Sequence, residues 1–314
     1  MSALTIQENV PLSPLTTFKL GGPARHFCAV SSTTELLDAL ALASQNNWPF
    51  FVLAGGSNLI ISDDGFDGLV VKLELGTWDL ELDKRTLTAG ASCSMKEIVD
   101  ASIEAGLAGL EWAGGLPGSF GGAIYGNAGC YGGEIKDSVL AVKSLTHTGE
   151  EKTRDNKDCD FGYRDSIFKH VPEVIVFATL QLQPGNRTEL RQIADDHIGH
   201  RASRHPLEHP NVGSIFKNIR VEDMPSEHLA TFRDSIKDDP FPVVPTAKII
   251  ATAALQGRRV GNVQLSEKHS NFIVNLGGGT TADLLKLVEQ IKSEIDQRYG
   301  IKLEVEPQLV GFKH

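Results

Sequence analysis

A hydroxyl, an ammonium and an amide group fall close together in the segment VGSIFKN, at Ser214, Lys217 and Asn218. These groups suit recognition of a phosphate or a sugar, and the serine could also deliver a proton. The segment lacks the G-x-S-x-G pattern of a nucleophile elbow, which argues against a hydrolase triad. From the residues alone, a polar turn leading into a strand is an equally good interpretation.

Arg164 follows Tyr163 in the segment FGYRDSIF, where aromatic residues stand on both sides of the cation. An arginine held in this way can present a planar, permanent positive charge to a carboxylate. Spacing alone favours a simpler interpretation, in which Arg164 pairs with Asp165 at the surface.

Two carboxylates stand near the C-terminus, at Glu304 and Glu306. In a strand they would lie on the same face, because side chains alternate with a period of two. Paired carboxylates could do acid–base work, but two solvated side chains at a sheet edge fit the pattern better without other information.

Two glycine-rich turns could bind phosphate. The first, AGGSNL at residues 54–59, follows an apolar run, and the second, GGLPGSFGGA at residues 114–123, is longer and denser. Successive backbone N–H groups in such turns form an anion-binding nest, and glycine lets a phosphate approach closely. Two such turns in one chain favour a dinucleotide, although each could also be a tight loop without a ligand.

Several common nucleotide and metal motifs are absent from the sequence. Neither turn fits G-x-G-x-x-G and the chain has no G-x-x-x-x-G-K-[ST], so a Rossmann or P-loop enzyme is not expected. His197, His200, His205 and His209 cluster without nearby cysteine, and we expect no metal site there. The cysteines form no CxxC pair, which predicts free and mostly buried thiols.

Hydrophobic periodicity and capping signals predict an α+β fold. Capping boxes at residues 32–35 and 94–97 open helices, and further helices are predicted over residues 187–201 and from Ala282 to about Arg298. Strands are predicted at residues 50–54, 69–73, 139–146, 174–182, 271–275 and 303–310. Regular helical crossovers do not separate the strands, which argues against a doubly wound sheet. Residues 109–133 are too irregular for a simple helix or strand.

Length and charge limit the class of protein. The chain has 314 residues, which suggests two domains with a boundary near residues 185–200. A net charge of −10 argues against non-specific binding to DNA or anionic membranes. The first residues have no basic region followed by a long apolar run, and no apolar stretch approaches about 18 residues. We therefore expect a cytoplasmic protein with no nucleic-acid, membrane or obligatory protein partner.

The order of the motifs goes further than any one of them, because the chain resembles the UDP-N-acetylenolpyruvoylglucosamine reductases, the MurB family, from about Leu15 to Phe312. The segments that carry the resemblance are LTTFKLGGPA at 15–24, AGGSNLIISD at 54–63, the glycine-rich run at 114–135, FGYRDSIFK at 161–169, VGSIFKN at 212–218, VQLSEKHSNFIVN at 263–275 and LEVEPQLVG at 303–311.

The resemblance implies an FAD-binding domain of the vanillyl-alcohol-oxidase (PCMH) type at residues 1–195 and a smaller α+β substrate-binding domain at residues 196–314. The two glycine-rich segments would then hold the FAD pyrophosphate and adenosine. The cofactor-binding residues implied are Gly55, Gly56, Ser57, Asn58, Leu59, Gly115, Pro117, Gly118, Ser119, Gly121, Gly122 and Ala123.

The resemblance also implies a reaction, the NADPH-dependent and FAD-mediated reduction of UDP-N-acetylglucosamine enolpyruvate to UDP-N-acetylmuramate. Arg164 matches the family's catalytic arginine, Ser214 its proton donor and Glu306 its catalytic glutamate. Many relatives read L-E-P-E where this chain reads L-E-V-E-P, so Glu304 is the alternative carboxylate. Tyr163, Lys217 and Asn218 are the implied substrate-binding residues.

Other functions remain compatible with parts of the pattern. An FAD-dependent oxidase of the same fold often tethers its flavin through a histidine in the first glycine-rich loop, and residues 54–63 contain none. A catalytically silent UDP-sugar-binding protein would not need Arg164, Ser214 and Glu306 together. The region between residues 182 and 214 is short and lacks tyrosine, as in family members without a substrate-covering lid.

Overall fold

Side-chain caps mark where the helices begin in the computed structural model, which describes residues 4–238 and 241–312. The Ser32 hydroxyl accepts a hydrogen bond from the Glu35 backbone N–H. Ser94 and Glu97 form both hydrogen bonds of the predicted capping box. In the described ranges the α-helices are α1 (Thr33–Gln45), α2 (Met95–Glu104), α3 (Phe120–Tyr125), α4 (Arg187–Arg204), α5 (Ser226–Phe232), α6 (Thr246–Thr252) and α7 (Thr281–Tyr299).

The strands are mostly short and lie in several sheets. They are β1 (Gln7–Pro11), β2 (Pro23–Val30), β3 (Phe50–Leu53), β4 (Leu59–Ile61), β5 (Phe66–Leu73), β6 (Trp78–Glu81), β7 (Thr86–Gly90), β8 (Leu107–Ala108), β9 (Gly129–Cys130), β10 (Gly133–Glu134), β11 (Val139–Thr146), β12 (Glu151–Asp155), β13 (Glu173–Gln181), β14 (Gln183–Pro184), β15 (Asn211–Ser214), β16 (Ile219–Arg220), β17 (Lys237–Asp238), β18 (Pro242–Val244), β19 (Arg259–Val260), β20 (Val263–Leu265), β21 (Phe272–Asn275) and β22 (Gln308–Val310).

The chain divides into two units, each with its own contacts. The first unit comprises Met1–Val10, Ala24–Gly55 and Asp67–Arg201. The second comprises Pro11–Pro23, Gly56–Phe66 and Ala202–His314. Two short segments from the N-terminal third thus belong to the second unit, and the functional domain limits of 1–195 and 196–314 remain a prediction.

The first unit is built on two sheets. One has the strand order β1-β2-β5-β3, with β3 and β5 parallel, and the other has the antiparallel order β12-β11-β13-β7-β6. Helix α1 buries the face formed by Leu36, Ala39, Leu40 and Ala43, at the spacing of an amphipathic helix. These residues join one apolar cluster with the buried strands.

Glycines in the irregular segment allow α4 to pack closely in the first unit. A Cβ on Gly114 would lie 2.3 Å from the Ala194 carbonyl oxygen. Gly115 has a φ of +70°, and a Cβ there would lie 3.1 Å from Cδ of Arg201. The prediction that residues 109–133 contain no simple element is wrong at α3, β9 and β10, where Ser119 caps the short helix.

The second unit has a four-stranded sheet of order β15-β21-β20-β19, a three-stranded sheet β16-β18-β17 and the parallel pair β22-β4. Thr280 caps α7, and Gly300 ends it in the left-handed conformation at φ +64°. The buried face of α7 joins the apolar cluster of this unit through Leu284, Leu287 and Ile291.

The sequence predicted the long elements better than the C-terminal strand. Strand β11 has the predicted bounds, and α7 extends the predicted helix by one residue at each end. The strand predicted over residues 303–310 is wrong in its first part, since only β22 and an isolated bridge at Val305 form. Pro307 has no N–H to donate, which interrupts the ladder there.

No helix in the described ranges is both long and apolar enough to cross a membrane.

Glu173 is a buried carboxylate at the start of β13, with its side chain 2% exposed. Arg154 donates to it from Nη2 at 2.6 Å and from Nε at 3.0 Å, and the Ser144 hydroxyl donates at 2.7 Å. The Arg154 hydrogen bonds, opposed by burial and aided by Ser144, lower the pKa of Glu173 to about 2.

We predict that Glu173 stabilises the fold above pH ~4.5 and that this contribution disappears as the pH falls toward 2, because its folded pKa lies below the unfolded one. A shift of this size corresponds to about 3 kcal/mol. Urea denaturation should show that Glu173→Gln loses about this free energy at pH 6 and much less at pH 3. Glu151→Gln, which removes an exposed carboxylate from β12, should show little pH-dependent difference; equal effects of both variants would contradict the assignment.

Candidate functional site

A cavity of about 210 Å³ lies in the first unit where the two glycine-rich segments meet. Typical pockets for a whole drug-sized ligand measure ~300–1,000 Å³, so this one suits part of a nucleotide. Its wall is formed by Ala54, Gly55, Lys72, Leu73, Ser92, Ser94, Gly118 and Ser119.

Direct backbone contact between the two segments explains the glycines at the cavity. A Cβ on Gly55 would lie 2.7 Å from the Ser119 backbone nitrogen and 3.0 Å from Cα of Gly118. Gly118 has a φ of +107°, which disfavours other residues. The glycines therefore let two loops that are distant in sequence form one wall.

Three serines line this cavity from structured positions. Ser94 caps α2 and donates to the Glu97 carboxylate at 2.8 Å. Ser119 accepts from the Gly122 N–H at 3.2 Å, and Ser92 accepts from the Leu75 N–H at 2.8 Å. Ser92 and Ser119 are thus fixed by bonds that they accept.

Lys72 lines the same cavity and was missed by the sequence reasoning. It lies in β5 opposite Leu53 of β3, and its Nζ donates to the Ala54 carbonyl at the entry of the first glycine-rich turn. Burial lowers the pKa of Lys72, while the charge of Glu74 raises it. The available signal was a lysine interrupting the apolar run of residues 69–73, in which the other side chains are fully buried.

The remaining residues of the first turn belong to the second unit. Gly56 has a φ of +63°, and its carbonyl accepts from the Thr17 N–H at 3.1 Å. Ser57 is half-buried and Asn58 exposed, and Leu59 begins β4. The Asn58 carbonyl accepts from the Gln308 N–H at 3.0 Å.

Several predicted cofactor residues of the second turn have visible packing roles. A Cβ on Gly121 would lie 2.6 Å from Cβ of Ala91. Gly122 donates to Ser119, Ala123 is buried, and Pro117 is exposed. Gly115 contacts α4, as described above, so not every glycine in the run is explained by a ligand.

Arg164 stands at the corner of a tight turn in the first unit. Gly162 and Asp165 exchange backbone hydrogen bonds across the turn, at 3.0 and 3.3 Å. Arg164 has a φ of +55°, and its guanidinium lies 5.3 Å from the centre of the Tyr163 ring. Its Nη2 donates to the Gly129 carbonyl at 2.8 Å. A left-handed arginine is strained, and such strain persists where the surroundings fix the residue.

Side chains on neighbouring segments hold that turn. The amide of fully buried Asn127 donates to the Gly162 carbonyl at 2.8 Å. Ser166 donates to the Tyr125 carbonyl at 2.8 Å, and Asp165 contacts Nε2 of His170 at 2.9 Å. Asp165 therefore pairs with His170, rather than with Arg164 as spacing alone suggested.

Ser214 and Glu306 are brought close by backbone pairing within the second unit. The Glu306 N–H donates to the Ile215 carbonyl at 2.9 Å, and the Lys217 N–H donates to the Glu304 carbonyl at 3.0 Å. The two segments thus run side by side, and both Ser214 and Glu306 are half-buried.

Asn271 is a second residue that sequence reasoning missed. It is 2% exposed, and its amide oxygen accepts from the Phe216 N–H at 3.0 Å. Its amide nitrogen donates to the Phe216 carbonyl at 2.8 Å. The Asn271 carbonyl also accepts from the Ile215 N–H at 2.9 Å. This amide fixes the backbone between Ser214 and Lys217, and its signal was a polar residue directly before an apolar strand.

The two C-terminal carboxylates have different surroundings. Glu304 is 68% exposed and forms an ion pair with Nζ of Lys217. Asn218 is also engaged, because its side-chain oxygen accepts from the Thr246 N–H at 3.2 Å. Arg164 belongs to the first unit, whereas Ser214, Lys217, Asn218 and Glu306 belong to the second.

The clustered histidines contact aromatic side chains. The ring of His197 stacks on Tyr131 at 4.0 Å, and Nδ1 of His200 lies 3.0 Å from the tyrosine hydroxyl. His205 packs against His269 and Phe272. Among the described residues, no group of histidine, cysteine or acidic side chains is arranged to hold a metal ion. The cysteines are free thiols, with Cys130 half-buried and the others buried.

Comparison with known proteins gives two family matches. Residues 24–154 match an FAD binding domain, and residues 205–310 match the C-terminal domain of UDP-N-acetylenolpyruvoylglucosamine reductase. These matches confirm the predicted order of an FAD-binding domain followed by a smaller α+β domain.

Full-length relatives extend these matches. The UDP-N-acetylenolpyruvoylglucosamine reductase of Lactobacillus johnsonii is 38% identical over 309 residues, covering 98% of this chain and 95% of the relative. That of Pediococcus pentosaceus is 34% identical, covering 98% and 94%. The crystal structure of the enzyme from Thermus caldophilus has a TM-score of 0.77 and 29% identity, covering 98% of this chain and 99% of that one.

We predict that Gly55→Ala destabilises the first unit by about 1–3 kcal/mol, because the new methyl group would overlap the backbone of the second glycine-rich turn. Gly76→Ala is the matched control, since no atom lies within 4 Å of the added Cβ. Urea denaturation measures both. A Gly55→Ala variant as stable as Gly76→Ala would show that the loops do not touch as described.

Proposed function

The chain belongs to the UDP-N-acetylenolpyruvoylglucosamine reductase family, and we propose that it uses NADPH and FAD to convert UDP-N-acetylglucosamine enolpyruvate to UDP-N-acetylmuramate. The family makes it an FAD-containing oxidoreductase of peptidoglycan precursor synthesis. The observation that carries the site assignment is the backbone bond from Glu306 to Ile215, which sets a carboxylate beside the residue that follows Ser214.

The first-unit cavity fits part of FAD. Gly55 and Gly118 line the cavity with backbone, and Lys72 supplies a positive charge. The adjoining Ser92 and Ser119 add hydroxyl groups. When bound, FAD supplies hydride transfer from NADPH to the enolpyruvyl ether. We assign the cofactor to the two glycine-rich segments on this basis.

Arg164 is the proposed partner of the substrate carboxylate. Hydride addition to the methylene carbon of the enol ether builds negative charge toward that carboxylate, and a fixed guanidinium stabilises it. The surrounding bonds from Asn127 and Ser166 support this role, because they hold the turn before substrate arrives. Tyr163, whose ring faces the guanidinium, is proposed as a neighbouring substrate contact.

Ser214 and Glu306 are the proposed proton donor and charge-stabilising acid. The serine hydroxyl would protonate the carbon next to the carboxylate, and the acid form of Glu306 would donate a hydrogen bond to the developing charge. Glu306 is half-buried beside the Ser214 segment, whereas Glu304 is exposed and paired with Lys217, so Glu306 is the proposed carboxyl group.

Lys217 and Asn218 are proposed to position the substrate. The Lys217 carbonyl and the Asn218 side chain already hold Thr246, the first residue of α6. This anchoring supports a fixed direction for the lysine side chain. We further propose a cytoplasmic role in cell-wall biogenesis, and through it in cell shape and division, acting on small-molecule substrates.

The proposed function is tested by the visible spectrum of the purified protein under anaerobic conditions. A flavin band near ~450 nm should bleach on addition of NADPH and recover on addition of UDP-N-acetylglucosamine enolpyruvate. Recovery with oxygen but not with the enolpyruvyl sugar would indicate an oxidase instead. A protein that cannot take up FAD would overturn the proposal and favour a UDP-sugar-binding protein.

We predict that Ser214→Ala separates the two half-reactions. NADPH should bleach the flavin at the wild-type rate, whereas recovery with the enolpyruvyl sugar should slow by about 10²–10⁴-fold, as expected when a general acid is lost. Stopped-flow absorbance measures each step. Ser293→Ala, an exposed serine on α7, should alter neither, and an unchanged recovery rate in Ser214→Ala would refute the proton-donor role.

We predict that Glu306→Ala lowers kcat by about 10²–10³-fold, because it removes a donor to the developing charge. Glu304→Ala should lower kcat by at most about fivefold, since an exposed ion pair contributes only ~0–1 kcal/mol. Steady-state kinetics with saturating NADPH compares the two. A larger loss in Glu304→Ala would transfer the catalytic role to that carboxylate.

A further inference from the structure

Lys72 carries the single formal charge among the side chains that line the first-unit cavity. It occupies β5, an interior strand of the sheet order β1-β2-β5-β3, and its neighbours Val71 and Leu73 are buried in the core. A lysine at this position is unusual, because an ammonium group loses hydration when it is partly buried. The presence of a charged residue in this strand therefore needs a physical explanation.

The protein itself supplies little compensation for that charge. The Nζ atom donates to one neutral acceptor, the Ala54 carbonyl. In the described ranges, no carboxylate forms an ion pair with Lys72, and its nearest electrostatic support is the more distant charge of Glu74. An ammonium has three donor hydrogens, so a single carbonyl leaves capacity for further acceptors.

The rest of the wall adds donors. The Ser92 and Ser119 hydroxyl oxygens each accept a backbone N–H bond, and neither hydroxyl proton has an acceptor among the described residues. Ser94 differs, because its proton goes to Glu97. The cavity therefore offers one cation and two hydroxyl donors, which suits an anion rather than a neutral or cationic group.

We propose that Lys72 binds the pyrophosphate of FAD and is a determinant of cofactor affinity. This inference rests on the FAD-dependent function proposed above. The pyrophosphate is the anionic part of FAD, and the flavin ring and adenine are neutral. The Ala54 carbonyl holds the ammonium next to Gly55, where the two glycine-rich turns touch and form part of the cavity wall.

If Lys72 binds the pyrophosphate, it should lower the stability of the FAD-free protein and raise the stability of the FAD-bound protein. Without FAD, a partly buried ammonium with one neutral acceptor is a cost, so Lys72→Met should leave the FAD-free protein as stable as the wild type or more stable. With FAD, the same substitution removes a charge-assisted hydrogen bond. A residue that only packs the strand would lower the stability of both forms instead.

The test compares wild-type holoenzyme with Lys72→Met, and with Lys143→Met as a control that removes an exposed strand lysine from the same unit. Dissociation of FAD on dilution is followed by flavin fluorescence. Charge-assisted hydrogen bonds contribute enough that the Kd for FAD should rise by about 10- to 100-fold in Lys72→Met. The control should keep the wild-type Kd. If Lys72→Met does not fold, Lys72→Gln takes its place in the test, because the glutamine amide keeps a hydrogen-bond donor for the Ala54 carbonyl.

Displacement of FAD by ADP and by adenosine identifies the part of the cofactor that Lys72 contacts. The inhibition constant of ADP should rise in Lys72→Met by about the same factor as the Kd for FAD, while that of adenosine stays unchanged. An equal loss of affinity for ADP and for adenosine would overturn the pyrophosphate assignment. An unchanged Kd for FAD in a variant that retains its flavin would also overturn it. If the wild-type protein takes up no FAD, that result would instead contradict the proposed function itself.

Discussion

Backbone pairing of the C-terminal segment is the constraint on which the second unit's site depends. The Glu306 N–H donates to the Ile215 carbonyl, and the Gln308 N–H, two residues later, donates to the Asn58 carbonyl. One short stretch of chain thus fixes the Ser214 segment and Asn58 together within the second unit. Because these are main-chain bonds, they set positions without depending on particular side chains.

Two polar side chains complete this arrangement within the second unit. Asp63, which follows β4, accepts from the backbone N–H groups of Thr281 and Ala282 at 2.8 Å each, so the strand leaving the glycine-rich turn is tied to the start of α7. Carboxylates are favourable at helix N-termini, where N–H groups lack partners. Asn271 serves the Ser214 segment in the same way, by satisfying both polar groups of buried Phe216.

Local signals in the sequence were enough to predict many elements but not the partners of their side chains. The capping box at Ser94 and the amphipathic pattern of α7 depend on residues a few positions apart, and the structure has both. Lys72 and Asn271 take their roles from Ala54 and Phe216, which are far away in sequence. Periodicity contains no information about such contacts, whereas the family resemblance supplied the order of motifs without the geometry of each residue.

The glycine-rich segments show why composition alone overstates a ligand site. Gly114 is required by the approach of α4 and Gly121 by contact with Ala91, so both would be glycine in a protein that bound nothing there. Gly55 differs, because the contact it permits also forms the wall of a cavity that contains a cation. Close packing excludes side chains wherever backbones meet, whereas a partly buried ammonium without an ion pair beside such a contact supports the proposed ligand. The lysine is therefore the reason to propose Gly55, rather than Gly114 or Gly121, as a ligand-binding glycine.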